Sequence, residues 1–387
     1  MSKRVAIMIN CLKFGGAERV MADLSVFLDK NGYEVHLFLM DDTNIAYDYS
    51  GTIHKISFGF GILLSLSYFI MTYYYKIKLR INYTISAMEF MNFVNIMTPC
   101  NDKIIATMHN YKMQHEITPI LKDKFIEWVF TKRVKRTHKI VTVSNAICEK
   151  MQKLYDLPKD RFVTIYNATY VKVLEGMAAC ALPSDIKEFM TPITFVNMSR
   201  FVAQKSLDRL LLAFDSVVKK YPLSRLILIG DGEDKEKLYE LACYLGIQEK
   251  IKITGFLKNP FSIVAKSTAF VLSSHYEGFG NVLVEALCCG KTVISTDCFA
   301  GPREILAPGT EKVGVDVDLC EYGILSKFYP DGSGNGVKEL AAAMEMVIEN
   351  PWILEKYEKK AKERAKDFTP DKMYEIWKVI LDDEYHM

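Results

Sequence analysis

The sequence predicts an α/β chain made of two doubly wound parallel-sheet domains that face a cleft. Three observations carry this. Short apolar runs of strand length alternate with helical stretches from Arg4 onward, and the alternation restarts at Ile193. The chain has 387 residues, too many for one ordinary core, which suggests about two domains. Glycines follow several strand-like runs, at Gly15-Gly16, Gly230-Asp231-Gly232, Gly278 with Gly280, and Gly301. Those turns mark the carboxyl ends of strands, where open α/β sheets bind ligands.

In the first half, Arg4 to Asn10 reads as a strand, and Gly15-Gly16 as a turn opening a helix that runs to about Asn31 and stops at Gly32. Tyr33 to Met40, Tyr83 to Ala87, Lys103 to Met108, Lys139 to Val143 and Phe162 to Tyr166 are further strands, with Ser144-Asn145 capping a helix. Residues 169–191 carry no strong periodicity and read as the interdomain connection between domains at 1–168 and 192–369.

In the second half the strands are Ile193 to Met198, Arg225 to Ile229, Ile251 to Thr254, Ala269 to Leu272 and Thr292 to Ser295. Ser206 is expected to cap a helix to Lys220, and Lys235 to Leu245 is another helix. Gly301-Pro302-Arg303-Glu304 and Asp331 to Gly336 read as loops. Helices follow over Val337 to Glu349 and Pro351 to Lys366. A last one starts at Thr369-Pro370, and residues 370–387 are expected to pack back on the first domain.

Half the residues are apolar, a quarter are charged and the net charge is +2, a globular composition that does not favour nucleic acid. The nine cysteines include no Cys-x-x-Cys and no zinc spacing. Their odd number and the absence of a signal peptide argue for a reducing cytoplasm. One segment stands apart. Ile56 to Tyr75 holds no charged residue and is flanked by Lys55 and by Lys76, Lys78 and Arg80. A membrane span, a buried helix and a helix lying in a membrane surface are all open readings of it. The basic run Lys132 to Lys139 is a solvated face or a contact for anionic lipid heads.

The chemistry concentrates at Ser273 to Leu287, a strand, a glycine turn and a helix start, which together make an anion site of free N–H groups. Glu277 and Glu285 bracket the turn and suit sugar or ribose hydroxyls, because carboxylates accept hydrogen bonds. Arg200 and Lys205 follow a strand end and suit a diphosphate. Gly15 and Gly16 allow close approach of a phosphate or sugar to the backbone, and His109 sits at a strand terminus as a candidate ligand contact.

At these residues the chain resembles family 4 of the retaining glycosyltransferases of the GT-B fold. Glu277 and Glu285 reproduce its Glu-x7-Glu motif. Gly15-Gly16-Ala17-Glu18-Arg19, Arg200 to Lys205, Ser295 to Cys298 and Gly301 to Leu306 follow in the family's order. Ser199 replaces a common glycine, and Gly280 stands where many relatives have proline.

The resemblance implies roles. Arg200 and Lys205 would bind the donor diphosphate, Glu277 the donor sugar and Glu285 the ribose. Phe279, Gly280 and Asn281, with Val282 and Leu283 in the helix they open, would hold sugar and phosphates. Phe256 and Leu257 would border the base, Gly15 and Gly16 would close over the phosphates, and His109 would sit by the sugar. It further implies retention without a side-chain nucleophile, no cofactor and no metal. The expected donor is a nucleotide sugar, a UDP-sugar, carrying a hexose or N-acetylhexosamine. The expected acceptor is a polyprenyl-diphosphate-linked glycan in bacterial polysaccharide, O-antigen or glycoprotein glycan assembly, used at the inner face of the cell membrane. A nucleotide-sugar epimerase and a non-catalytic subunit of a glycan-assembly complex are the alternatives. The complete donor set of Arg200, Lys205, Glu277 and Glu285 speaks against the second.

Overall fold

Fourteen strands are arranged in two seven-stranded sheets in the computed structural model, which describes residues 2–13, 15–110, 121–329 and 334–382. The first sheet contains β1 (Arg4–Ile9), β2 (Glu34–Leu39), β3 (Thr52–Lys55), β4 (Tyr83–Ala87), β5 (Lys103–Met108), β6 (Thr137–Thr142) and β7 (Phe162–Thr164). Their order is β3-β2-β1-β4-β5-β6-β7, and every pair is parallel. The second contains β8 (Thr194–Met198), β9 (Arg225–Ile229), β10 (Ile251–Gly255), β11 (Ala269–Leu272), β12 (Thr292–Thr296), β13 (Val317–Leu319) and β14 (Ile324–Ser326). Its order is β10-β9-β8-β11-β12-β14-β13, with only β13 running antiparallel.

The strand sequences explain the layering. Val5 to Ile9 and Ala269 to Leu272 are apolar at every position and buried at every position, as strands covered by helices on both faces must be. The chain divides into one unit of Met1–Ala168 with Asp371–Met387 and another of Thr169–Pro370. The last helix, Pro370–Asp382, supplies Met373, Tyr374, Trp377, Ile380 and Leu381 to the core of the first unit, a helical spacing of apolar residues. Tyr374 meets the ring of Phe27 at 4.7 Å, and Tyr33 Oη donates to Asp382 Oδ1 at 2.9 Å.

Several expectations need correction. The stretch 169–191 is not irregular: it holds helices Val171–Ala178 and Ser184–Phe189, too short for a periodicity to emerge. Thr52–Lys55 is an edge strand whose polar sequence hides it. The Gly301 turn leads into a short helix, Pro302–Leu306. Ser206 precedes helix Leu207–Lys220, but it adopts left-handed backbone (φ 46°) and its hydroxyl donates backward to Ala203 O, so it is not a side-chain cap. Ser144 does cap, accepting from Ile147 N. Phe14 and the Asp331 to Ser333 half of the Asp331 to Gly336 loop lie outside the described residues.

The uncharged segment forms helix Gly61–Lys78. Leu64, Tyr68, Met71 and Tyr75 pack on the sheet face that carries Ala6, Met8 and Phe38. No helix among the described residues is long and apolar enough to cross a membrane, so the span reading falls. Its opposite face leaves Phe60, Leu63, Leu66, Ile70, Tyr73 and Ile77 exposed, at helical spacing. Lys76 does not flank that face. It is 1% exposed, with Nζ 2.9 Å from Asp102 Oδ2 and donating to Asn95 Oδ1 and Thr98 O. The exposed cations at this end are Lys78 and Arg80.

Candidate functional site

The second sheet reverses its winding between β8 and β11. From β8 the chain proceeds outward to β9 and β10, then returns to lay β11 and β12 on the other side, with Phe195 paired to Ala269 across the join. Loops leaving the carboxyl ends of two such strands diverge and open a binding crevice. Arg200 and Lys205 lie on the loop after β8, and Glu277 on the loop after β11.

Local packing fixes the first loop. Phe201 is fully buried and its N–H donates to Asp231 O. A Cβ on Gly230 would stand 1.9 Å from Ser199 O, and one on Gly232 would stand 2.4 Å from Phe201 O. Gly230-Asp231-Gly232 is therefore the seat of the Arg200 loop, glycine because the backbones touch there. Arg200 itself is exposed, and its guanidinium has no partner among the described residues.

The two loops are stitched together. Gln204 Nε2 donates to Tyr276 O at 2.8 Å, His275 N to Gln204 O at 2.9 Å, and Ser273 Oγ to Lys205 O at 2.8 Å. At the centre, Lys205 Nζ lies 2.6 Å from Glu277 Oε1, and Ser274 Oγ donates to that same oxygen at 2.6 Å. The expected cation for phosphate and the expected carboxylate for hydroxyls thus face each other as an ion pair. The sequence singled out Lys205 and Glu277 separately, and the fold brings the two side chains together. Ser274 and Gln204 were not assigned roles, because a serine and a glutamine near a turn carry no motif of their own.

Beyond Glu277 the chain turns at Gly280, whose φ of 91° belongs to the left-handed region, and enters helix Asn281–Cys288. Phe279 is buried, with its ring 5.4 Å from Phe368. Asn281 and Val282 are half-buried at the helix start. Leu283 is fully buried and its N–H already donates to Gly280 O, so Leu283 acts through packing beneath the turn. Glu285, 8% exposed, follows one turn later. Phe256 is exposed and Leu257 half-buried, directly after β10, two strands from β8.

In the first unit the winding reverses between β1 and β4. Gly15 and Gly16 follow β1, and His109 follows β5. Gly15 N donates to Tyr47 Oη at 3.0 Å, and Gly16 begins helix Gly16–Lys30. His109 Nε2 is 3.0 Å from Thr107 Oγ1, whose own proton goes to Ser86 O at 2.9 Å. The Thr107 oxygen must then accept, which places a proton on Nε2 and leaves Nδ1 as an acceptor. Burial pushes the His109 imidazole down to about 4, so the ring is neutral near pH 7. Among the described residues no group of three or more His, Cys, Asp or Glu side chains is placed to hold a metal ion.

Residues 182–368 match the family described as Glycosyl transferases group 1, and residues 14–171 match Glycosyltransferase Family 4. A Campylobacter jejuni N-acetylgalactosamine-N,N'-diacetylbacillosaminyl-diphospho-undecaprenol 4-alpha-N-acetylgalactosaminyltransferase is 28% identical over 95% of this chain and 96% of its own. An uncharacterised glycosyltransferase of Methanocaldococcus jannaschii is 37% identical over 50% of each chain, so this chain spans half of that relative's length. The crystal structure of Anabaena HepE in complex with UDP and glucose superposes with a TM-score of 0.78 at 17% identity, covering 98% of this chain and 100% of that one. With one family matched over each half and the fold matched over nearly the whole, the chain belongs to the family 4 glycosyltransferases of the GT-B fold.

Proposed function

We propose that this glycosyltransferase moves a hexose or N-acetylhexosamine from a UDP-sugar, with retention of anomeric configuration, to a lipid-linked glycan acceptor at the inner face of the cell membrane. The observation that carries the donor half is the Lys205–Glu277 contact at the switch point of one sheet, with the exposed Arg200 on the same loop as Lys205. As the glycosidic bond breaks, negative charge develops on the departing diphosphate. Arg200, Lys205 and the N–H groups at the start of helix Asn281–Cys288 meet that charge. Glu277 accepts hydroxyls of the sugar, and Glu285 those of the ribose. The departing phosphate takes the acceptor's proton, so the chain supplies positioning and charge rather than a nucleophile. Two cations and a helix terminus carry the electrostatic task, and the proposed reaction calls on no metal or cofactor.

The lipid-linked acceptor is supported by the named substrate of the Campylobacter relative and by the uncovered apolar face of helix Gly61–Lys78. That face ends at Lys78 and Arg80, and aromatic and aliphatic side chains beside cations suit an anionic headgroup region.

The test is a panel of UDP-, GDP- and ADP-sugars with a polyprenyl-diphosphate-linked sugar as acceptor, with and without EDTA. The expected result is UDP-sugar turnover, insensitive to EDTA, giving a product whose anomer matches the donor's. An inverted anomer overturns retention. Turnover with water-soluble glycans only overturns the lipid-linked acceptor.

A further inference from the structure

We propose that Arg303 is a positioning residue for the donor sugar: it clamps the Thr296 to Gly301 backbone, and that backbone is the template on which Glu277 is placed. The inference rests on the donor-site reading above.

The template is visible in the bonds between the two segments. Thr296 Oγ1 donates to Ser274 O at 2.7 Å, Glu277 N donates to Phe299 O at 3.1 Å, and Tyr276 bridges Phe299. A Cβ on Gly301 would lie 1.8 Å from Phe279 O, so the two backbones are in direct contact. The donor loop from Ser274 to Phe279 is therefore shaped by its neighbour at both ends. That neighbour is itself strained. Ala300 and Gly301 take successive positive φ values of 61° and 87°, and the alanine lacks glycine's freedom there. Such a turn persists only where its surroundings over-determine it.

Arg303 does this. Its Nε and Nη2 fork onto the Asp297 carboxylate, with the Nη2 bond to Oδ2 at 2.9 Å. Nη2 also reaches Asp318 Oδ2 at 3.1 Å, while Nη1 donates to Thr310 Oγ1 and Glu311 O. Lys312 Nζ donates to Asp297 O at 2.6 Å, closing the other side of the turn. A planar guanidinium fixes direction as well as charge, which an ammonium does not. The Arg303 head is spent on these bonds inside the protein, so its effect on the sugar runs through Phe299, Gly301 and the Glu277 loop.

The test compares wild type, Arg303→Gln, Arg303→Lys and Gly301→Ala. UDP affinity is read by titration calorimetry, and donor hydrolysis and transfer as kcat and KM. In the donor-site reading Arg200 and Lys205 grip UDP, and their loop is seated on Gly230 to Gly232 rather than on the Thr296 to Gly301 backbone; Lys205 Nζ alone touches what the template places, at Glu277. The expected result is unchanged UDP affinity with kcat lowered roughly 10-fold or more in Arg303→Gln, the size of a sub-ångström to ångström misplacement of a catalytic group. Arg303→Lys keeps the charge and the fold but not the fork, so it is expected to melt close to wild type and still turn over slowly. Gly301→Ala, which presses on Phe279 O, is expected to reproduce the kcat loss. Wild-type kcat in Arg303→Gln or Arg303→Lys overturns the proposal. So does a parallel loss of UDP affinity and kcat, which marks general destabilisation. A wild type that binds no nucleoside diphosphate overturns the donor-site reading itself, and the inference with it.

Discussion

Lys205 Nζ and Glu277 Oε1 stand 2.6 Å apart, in side chains that are 13% and 7% exposed. In the proposed donor site an entering diphosphate and sugar would compete for a cation and a carboxylate that already satisfy each other. Removing Lys205 alone has two consequences. It removes a positive charge that the proposed diphosphate would meet, and it leaves the nearly dry Glu277 carboxylate with Ser274 as its one remaining side-chain donor among the described residues. Lys205→Ala is expected to lower transfer by roughly 10² to 10³ and to destabilise the fold by ~3–5 kcal/mol. The double variant Lys205→Met/Glu277→Gln separates the two effects. Its melting temperature is expected to return toward wild type while transfer stays lost. Wild-type turnover in Lys205→Ala would falsify the assigned role.

Lys76 and Lys78 are two residues apart and are expected to behave as opposites. All three protons of Lys76 are held inside the first unit by Asp102, Asn95 and Thr98, and burial lowers its pKa. Lys76→Met leaves Asp102 a buried carboxylate without its cation, an expected loss of ~3–5 kcal/mol in denaturant unfolding. Flotation of the folded variant with anionic vesicles is expected to be unchanged. Lys78→Ser with Arg80→Asn is expected to do the reverse. Asparagine tolerates the left-handed backbone at position 80 (φ 51°), so stability holds while flotation falls. Equal flotation of that double variant and wild type would count against lipid contact at this face.

The contrast shows where sequence reasoning stops. Buried strands such as Ala269 to Leu272 were legible because both faces are apolar, and the Glu277 and Glu285 spacing was legible because a turn and a helix fix it. Lys76 was not. A lysine after an uncharged run looks like a headgroup contact until Asp102, from a distant part of the chain, is placed beside it. The same holds for Arg303, whose partners Asp297 and Asp318 lie on different elements, and for Thr52–Lys55, which is a strand only because β2 offers it an edge. Local pattern reveals elements and motifs. Side-chain pairings across the sheet need the fold.

Asp23, on helix Gly16–Lys30, is a carboxyl that the fold holds at a cost near neutral pH. Burial raises it to about 6; Arg19 at 3.9 Å pulls the other way, and Asp48 adds to the rise. The native state thus keeps a proton up to about pH 6, while the unfolded chain releases it near pH ~3.9. The stability this group contributes is fully present below about pH 4 and is lost as pH rises through about 6. Asp23→Asn removes the cost. The side chain is 21% exposed, so the expected gain at pH 7 is a modest ~1–2 kcal/mol. At pH 4 the gain should vanish. Chemical denaturation at the two pH values reads the difference, and an equal effect at both would show that the carboxyl does not titrate as described.

His109 titrates in the opposite sense, and its expected place beside the donor sugar makes its protonation testable in turnover. Burial lowers it to about 4, against an unfolded value near ~6.5. The unfolded chain therefore binds the proton first, and the contribution of this group to stability falls as pH drops from about 6.5 toward 4. At working pH the ring is neutral, with Nε2–H committed to Thr107 and Nδ1 free of a proton. It can accept a hydrogen bond from a hydroxyl but cannot serve as a cation for phosphate. The pH–rate profile of the wild type is accordingly expected to show no limb from His109 between pH ~5.5 and ~8. His109→Gln keeps an acceptor oxygen and is expected to retain more activity than His109→Phe, which keeps the ring but offers none. His109→Phe should lose a neutral hydrogen bond's worth of transition-state binding, about 10-fold in kcat/KM. A wild-type profile with a limb near pH 6.5 that disappears in both variants would instead mean that the imidazole is solvated and charged in the working enzyme.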